Sequence, residues 1–250
     1  MITKYKFKNQ GADCIIFDYP TNSPVILLCV PSFKGGAFQF FLLRRGLKKL
    51  GIHVITLNFS FRWLSKNMFA NMSLSKGKEE LEFIVNKVRS LYPFKKIVLF
   101  GQSFGGSICI SVKQQIIDGI ILSSPVLDIE ETLRSYFKFK DIEELGKKKF
   151  IYFWEPINFP IKLLRLSVKS KIIKDAIKNF NLDILAKKIT SPILIFYGEK
   201  DKRLSGDVLS IFWEKIKSTK KEISVVRGGS HNALSFWFST KLSVKIYLFL

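Results

Sequence analysis

Short apolar runs alternate with longer amphipathic segments along most of this 250-residue chain. The first continuous run, VILLCV, occupies residues 25–30, and Pro31 follows it directly. A run that is apolar at every position predicts a strand buried on both faces. Further apolar runs lie at residues 54–57, 97–100, 120–122, 193–197 and 223–226. Apolar runs separated by helix-length segments predict an α/β fold, with a mostly parallel central sheet and helices on both of its faces.

The segments between these runs have the pattern of helices. Residues 77–92 are the clearest case, because apolar side chains recur there at spacings of three and four and Pro93 follows. The same pattern predicts helices at residues 37–50, 104–115, 208–216 and 233–248. Two short stretches, 5–7 and 14–17, predict an antiparallel pair ahead of the first buried strand.

Residues 129–190 break the alternation. They follow the sixth predicted strand and have a helical pattern, with aromatic clusters at residues 152–154 and 159 but no convincing buried strand. The segment is too short to bury a sufficient hydrophobic core of its own. We therefore predict a single domain over residues 1–250, with residues 129–190 forming a helical insertion over one end of the sheet.

The chain is strongly basic, with 41 Lys and Arg against 20 Asp and Glu and a net charge of +21. Such a charge suits nucleic acid or an anionic membrane. Most of the basic residues are lysines spread along the chain without a nucleic-acid-binding motif, and lysine, phenylalanine, isoleucine and asparagine are all encoded by A- and T-rich codons. We expect no nucleic-acid partner. The basic residues of 129–190 suit contact with an anionic membrane and suit a solvated helix face equally well.

The sequence also bears on location and redox state. The N-terminus lacks the apolar segment of a signal peptide, and no run of eighteen apolar residues occurs, so we expect a cytoplasmic protein. Cys14, Cys29 and Cys109 each lie in an apolar stretch without a Cys-x-x-Cys spacing. We expect them to be reduced core residues.

The strongest chemical signal follows the apolar run 97–100, where residues 101–106 read Gly-Gln-Ser-Phe-Gly-Gly. A strand that reverses sharply into a helix leaves no room for a side chain two residues before or after the turn, and glycine relieves both clashes. The turn lifts Ser103 above the carboxyl edge of the sheet, where open α/β folds place their sites. We predict that Ser103 is a nucleophile; the alternative is a glycine-rich turn whose serine only caps the helix.

A serine nucleophile needs a general base and a carboxylate that orients it. Of the two histidines, His231 follows the last predicted strand, whereas His53 starts an earlier one and suits a structural role. Asp201 follows the strand at 193–197 and is the preferred carboxylate. Glu199 and Asp128, which follow strands at the same edge, remain alternatives.

With these residues the chain resembles the α/β-hydrolase superfamily over nearly its whole length. The order Ser, Asp, His is the order of that superfamily, and its lid, inserted after the sixth strand, matches residues 129–190. The contexts Gly-Glu-Lys-Asp at 198–201 and Gly-Gly-Ser-His at 228–231 are most similar to the monoglyceride lipase, lysophospholipase and serine-aminopeptidase-like group. The resemblance implies a serine hydrolase that needs no metal and no organic cofactor.

The resemblance also implies an oxyanion hole of two backbone N–H groups. One donor is Phe104, which follows the nucleophile, and the other lies in the loop after the strand at 25–30. Relatives commonly have His-Gly in that loop, but this chain reads Pro-Ser-Phe-Lys-Gly-Gly at 31–36, so that Phe33 is the expected donor and Ser32 the alternative. The loop at 58–65 also lacks the glycines that many relatives carry, which weakens any transfer of substrate specificity.

The reaction expected from this set is hydrolysis of carboxyl esters, including lipid or lysolipid acyl esters, through an acyl-enzyme. Phe153, Trp154 and Phe159 are candidates for an apolar acyl pocket, although most phenylalanines of a Phe-rich chain belong to the core. Three alternatives stay open: hydrolysis of peptides or amides, hydrolysis or transfer of thioesters, and a non-catalytic binding protein with the same fold. The expected partner is a small acyl ester or lipid substrate.

Overall fold

The computed structural model describes residues 2–9, 12–33, 35–61, 73–157, 162–231 and 239–250. Within these ranges the chain forms ten strands and nine α-helices. The strands are β1 (Thr3–Asn9), β2 (Ala12–Tyr19), β3 (Val25–Val30), β4 (His53–Asn58), β5 (Lys96–Gln102), β6 (Gly119–Ser123), β7 (Phe150–Ile157), β8 (Lys162–Lys169), β9 (Ile193–Gly198) and β10 (Lys221–Val226). The helices are α1 (Phe41–Lys49), α2 (Leu74–Leu91), α3 (Phe104–Ser111), α4 (Ile129–Phe137), α5 (Ile142–Lys147), α6 (Ser170–Asn179), α7 (Leu182–Lys188), α8 (Gly206–Lys215) and α9 (Ser239–Phe249).

Eight strands form one twisted sheet in the order β1-β2-β4-β3-β5-β6-β9-β10. The six strands from β4 to β10 in this order run parallel, whereas β1 and β2 form an antiparallel hairpin that adds to β4 in the antiparallel sense. The predicted fold class is therefore confirmed, including the antiparallel pair ahead of the first buried strand.

The strand β3 shows why the predicted core strands are apolar at every position. Ile26, Leu28 and Val30 point into a core cluster that includes residues of α2, α3 and α8. The intervening residues point to the other face, where they join a second cluster with residues of α1 and α9. Because helices cover both faces, no position of this strand is left in water.

The segment 129–190 differs from its prediction as a helical insertion without strands. It contains α4, α5, α6 and α7, but also an antiparallel hairpin of β7 and β8 that forms a separate two-stranded sheet. Both strands of such a sheet are edge strands, so that neither needs a continuous apolar run and the proline at Pro156 is tolerated. Residues 150–154 of β7 are in fact apolar, but they were interpreted as part of an aromatic cluster and not as a strand. In β8, Arg165 and Ser167 interrupt the apolar residues, so no continuous run marks that strand. The role of the segment as a lid stays a prediction.

Two further expectations concern the rest of the chain. The three cysteines are free and buried, as predicted. In the part of the chain that the structure describes, none of the helices has the length and apolar character that crossing a membrane requires.

Candidate active site

A sharp turn joins β5 to α3 at Ser103. The serine has φ 52° and ψ −122°, a strained backbone conformation for a residue with a side chain. A Cβ at Gly101 would lie 2.7 Å from the Gly105 carbonyl oxygen, and a Cβ at Gly105 would lie 2.5 Å from the Val30 carbonyl oxygen. Both glycines of the Gly-x-Ser-x-Gly pattern are therefore required by backbone packing, as the sequence predicts.

The turn brings Ser103 to His231. The Ser103 hydroxyl lies 2.9 Å from Nε2 of His231, and Nδ1 of the same ring lies 3.0 and 2.9 Å from the two carboxylate oxygens of Asp201. Asp201 and His231 are buried. The three predicted residues, which are 98 and 30 positions apart in the chain, thus form one continuous hydrogen-bonded chain at the carboxyl edge of the sheet.

Close packing of two loops places His231 beside Asp201. The loop after β9 carries Asp201, and the loop after β10 carries His231. A Cβ at Gly198 would lie 2.4 Å from the Gly229 carbonyl oxygen, so the loops approach each other as closely as glycine allows. The N–H of Lys200 donates to that same carbonyl at 2.7 Å. This contact explains the glycine at 198, where β9 ends, and favours the glycine at 229, where a Cβ would lie 3.3 Å from the Cα of Gly198.

The surroundings of Asp201 keep it ionised. Burial raises the pKa of Asp201, but the hydrogen bond and charge of His231, together with the N–H of Arg203 at 2.9 Å, lower the pKa by more. The pKa of Asp201 therefore lies below the ordinary value for an aspartate. A carboxylate that is negative at neutral pH can hold Nδ1–H of His231 and stabilise a positive imidazole ring.

The two alternative carboxylates have other partners. Asp128 is the N-cap of α4, where its side chain accepts the N–H of Glu131 at 2.9 Å. Glu199 accepts the N–H of Gly228 at 2.8 Å. Neither has a hydrogen bond to His231 among the described contacts, whereas Asp201 does.

The two predicted oxyanion donors lie at the same cavity as Ser103. Phe104 is the first residue of α3, so its N–H has no acceptor within the helix. Its ring packs edge to face against Phe33, with centroids 5.9 Å apart. The alternative donor, Ser32, gives its N–H to the side chain of Gln39 at 3.1 Å. Of the two loop residues, Phe33 therefore stays the better candidate.

A cavity of about 350 Å³ opens at Ser103 and His231. One wall comes from α4, through Ile129, Thr132, Leu133 and Tyr136. These four residues were not predicted from the sequence, although their spacing of three and four marks one helix face. The predicted pocket residues Phe153 and Trp154 belong to β7, but their side chains are not among those described, and Phe159 lies outside the described residues.

A larger cavity of about 530 Å³ lies beside the start of α1, on the other side of the loop at 31–36. Its lining includes Phe17, Tyr19, Phe38 and Arg44 but none of Ser103, Asp201 and His231. Among the described residues, no group of three or more His, Cys, Asp or Glu side chains converges as a metal site requires. The arrangement that can perform chemistry is therefore the one at the smaller cavity.

Comparison of the sequence with models of protein families and with curated proteins gives no match. Comparison of the fold gives many. Est1E from Butyrivibrio proteoclasticus with bound ferulic acid is 16% identical, with a TM-score of 0.79 and 98% of each chain covered. A soluble variant of the monoglyceride lipase from Saccharomyces cerevisiae is 14% identical, with a TM-score of 0.76 and coverage of 99% of this chain and 94% of that one.

A third similar structure is the α/β-hydrolase domain-containing protein 10 from mouse, 15% identical, with a TM-score of 0.75 and coverage of 98% and 97%. Full-length superposition at such low identity shows the fold. The chain has the α/β-hydrolase fold.

Proposed function

We propose that this protein is a serine hydrolase that cleaves carboxyl esters, with Ser103 as nucleophile, His231 as general base and Asp201 as its orienting carboxylate. The observation that carries the proposal is the hydrogen-bonded chain from the Ser103 hydroxyl through His231 to Asp201. A half-buried serine in a strained turn, in contact with an imidazole that a carboxylate holds, is the arrangement by which a hydroxyl becomes a nucleophile. Structural neighbours that include an esterase from Pyrococcus furiosus and the monoglyceride lipase from Saccharomyces cerevisiae support the reaction class.

The first half of the reaction would form an acyl-enzyme. As the Ser103 oxygen bonds to the carbonyl carbon of the ester, Nε2 of His231 takes the hydroxyl proton, and Asp201 stabilises the positive ring. The N–H groups of Phe33 and Phe104 would bind the negative oxygen of the tetrahedral intermediate, a contribution of about 3 kcal/mol for each donor. His231 then gives its proton to the leaving alcohol as the carbon–oxygen bond breaks.

The second half repeats these steps with water. Water attacks the acyl carbon while His231 takes its proton, and the same ring returns that proton to Ser103 as the acid leaves. Each proton that His231 accepts is given back within the same half-reaction. No group outside the protein and its substrate is needed for the balance.

The apolar lining of the cavity suits the acyl chain of a substrate. Val126, Ile129 and Leu133 give it apolar wall beside Ser103, and its volume is in the range of small-molecule sites. We therefore propose acyl esters, lipid or lysolipid esters among them, as the substrate class. Phe153, Trp154 and Phe159 remain proposed additions to this wall.

The test is fluorophosphonate labelling of the purified protein, together with turnover of p-nitrophenyl esters of increasing acyl length. We expect labelling and turnover in the wild-type protein, with one optimum of chain length set by the cavity. Both should be lost in Ser103→Ala. Amide and thioester analogues of the best ester, assayed in parallel, identify which acyl bond is cleaved fastest.

Ser111→Ala is the matched control, since Ser111 lies at the far end of the same helix and donates only to the Ser107 carbonyl, at 2.6 Å. It should keep both labelling and turnover. If folded wild-type protein is neither labelled nor active, the proposal fails and the non-catalytic binding protein takes its place. If Ser103→Ala keeps its activity, the nucleophile is another residue.

A further inference from the structure

The loop at residues 31–36 carries the proposed oxyanion donor Phe33, but it lacks the His-Gly pair expected from the resemblance. Gln39, in the short 3-10 helix Ala37–Phe40, contacts this loop instead. Its side-chain Oε1 accepts both the N–H of Ser32, at 3.1 Å, and the Ser32 hydroxyl, at 2.9 Å. Because Ser32 precedes Phe33 directly, these two bonds restrain the peptide that carries the donor.

The other end of the same amide binds the nucleophile turn. Nε2 of Gln39 donates to Oε1 of Gln102 at 2.6 Å. Gln102 is the residue before Ser103 and two residues before the second donor, Phe104. The Gln39 side chain therefore connects the residue before Phe33 to the residue two positions before Phe104, through a bond between Gln39 and Gln102 that spans 63 positions of sequence.

The glycines of the loop leave space for this connection. A Cβ at Gly35 would lie 1.7 Å from Oε1 of Gln39 and 2.9 Å from the Ser32 hydroxyl oxygen. Gly35 does not have a positive φ, so alanine would meet no backbone strain there, and the three atoms nearest to its Cβ all belong to the side chains of Gln39 and Ser32. The absence of a side chain at Gly35 is thus explained by the position of Gln39.

We propose that Gln39 is a positioning residue that sets the separation of the Phe33 and Phe104 N–H groups, in place of the missing His-Gly pair. This inference rests on the proposed function of the site. Gln39 touches neither Ser103 nor His231 among the described contacts, so it acts through Ser32 and Gln102. Oxyanion donors stabilise the transition state much more than the bound ester, so displacing them lowers kcat and leaves KM nearly unchanged.

The experiment compares Gln39→Ala, Gly35→Ala and the double variant. Gln39→Ala removes the connection, and Gly35→Ala displaces it by placing a methyl group where Oε1 lies. Each single variant should lower kcat by roughly 10- to 100-fold. This is more than a slight displacement of the donors would cause and less than the complete loss of one donor would cause. The double variant should be no slower than Gln39→Ala, because the methyl group then has no amide to displace.

Two readouts separate positioning from folding. Active sites are counted by fluorophosphonate titration, so that kcat refers to competent Ser103 and not to total protein. The affinity of an alkyl boronic acid, which forms a tetrahedral adduct with the serine, should fall in parallel with kcat/KM. Gln114→Ala is the control for loss of a buried glutamine, since Gln114 follows the carboxyl end of α3 and its amide donates to the Val112 carbonyl at 3.4 Å.

Each outcome bears on one of the two proposals. If the wild-type protein is labelled and active but kcat per titrated site is unchanged in Gln39→Ala, the positioning role is wrong while the proposed function stands. Multiplicative losses in the double variant would also overturn it, because Gly35 and Gln39 would then act separately. If the wild-type protein is not labelled, it is the proposed function that fails.

Discussion

The chain has two histidines, and each is hydrogen-bonded to a buried aspartate. His231 binds Asp201 through Nδ1, at 2.9 Å, and His53 binds Asp18 through Nε2, at 2.6 Å. By residue type and distance the two pairs are alike. They differ in the group on the second ring nitrogen and in what lies around them.

The second nitrogen of His53 is occupied by a cation. The ammonium of Lys95 lies 3.1 Å from Nδ1 and also donates to the Thr21 carbonyl at 2.8 Å. Nδ1 is therefore the acceptor, and Nε2 carries the proton that Asp18 accepts. The Tyr92 hydroxyl donates to the other oxygen of Asp18, and burial, together with this hydrogen bond, raises the pKa of Tyr92. His53 itself is fully buried.

His231 has the opposite proton arrangement. Its Nδ1–H faces Asp201, so Nε2 is the acceptor and faces the Ser103 hydroxyl beside an open cavity. A histidine acts as a base only when a free lone pair faces the proton to be removed. The comparison teaches that a His–Asp pair is a base or a structural bond according to its third partner, which lies far away in the sequence.

The largest effect expected from this comparison is on turnover in the two histidine variants. His231→Ala should lower kcat by about 10⁵- to 10⁶-fold, as expected for the loss of the base of a triad. His53→Ala should leave kcat per titrated active site within about threefold, because His53 lies at the opposite edge of the sheet. Ester turnover normalised by active-site titration measures both. A large loss per site in His53→Ala would contradict the distinction.

The next effect concerns the carboxylates. Asp201→Asn should lower kcat by roughly 10⁴-fold, since the amide can no longer hold Nδ1–H of His231 and favours the wrong tautomer. Asp128→Asn should change kcat less than about threefold, because asparagine is an equally good N-cap for α4. The measurement is kcat of the two variants under the same conditions. The reverse order would identify Asp128 as the partner of His231.

The smallest effect is on the free energy of unfolding, and we expect it from the Asp18–His53 pair. Asp18→Ala removes the acceptor of both His53 and Tyr92 in a buried site, which we expect to lower the free energy of unfolding by roughly 3 kcal/mol. Asp13→Ala is the matched control on the same strand. Asp13 pairs with Lys6 at the surface, where such pairs contribute less than about 1 kcal/mol.

Urea unfolding measures this difference, and kcat per active site should be unchanged in both variants. Equal midpoints for the two variants would mean that the Asp18–His53 pair is not a structural contact. A loss of kcat per site in Asp18→Ala would mean that the Asp18–His53 pair is coupled to the Asp201–His231 pair. We expect the two pairs to act independently.

Much of the site follows from local sequence. The Gly-x-Ser-x-Gly turn is predictable because backbone packing forbids side chains on both sides of Ser103. The positions of Asp201 and His231 after late strands are predictable because parallel strands bring their carboxyl ends to one edge. The prediction of strands was wrong at β7 and β8. The apolar residues 150–154 of β7 were interpreted as an aromatic cluster, and Arg165 and Ser167 interrupt the apolar residues of β8, as an edge strand allows.

The sequence by itself therefore determined the parallel sheet, the strained serine and the set of residue types that meet at the carboxyl edge. All of these depend on patterns within about ten neighbouring residues, where sterics and burial act directly. Only the tertiary structure decided which wall α4 forms, that Gln39 connects Ser32 to Gln102, and which nitrogen of each histidine carries the proton. These depend on hydrogen bonds between residues far apart in the chain, whose partners exist only once the elements have packed.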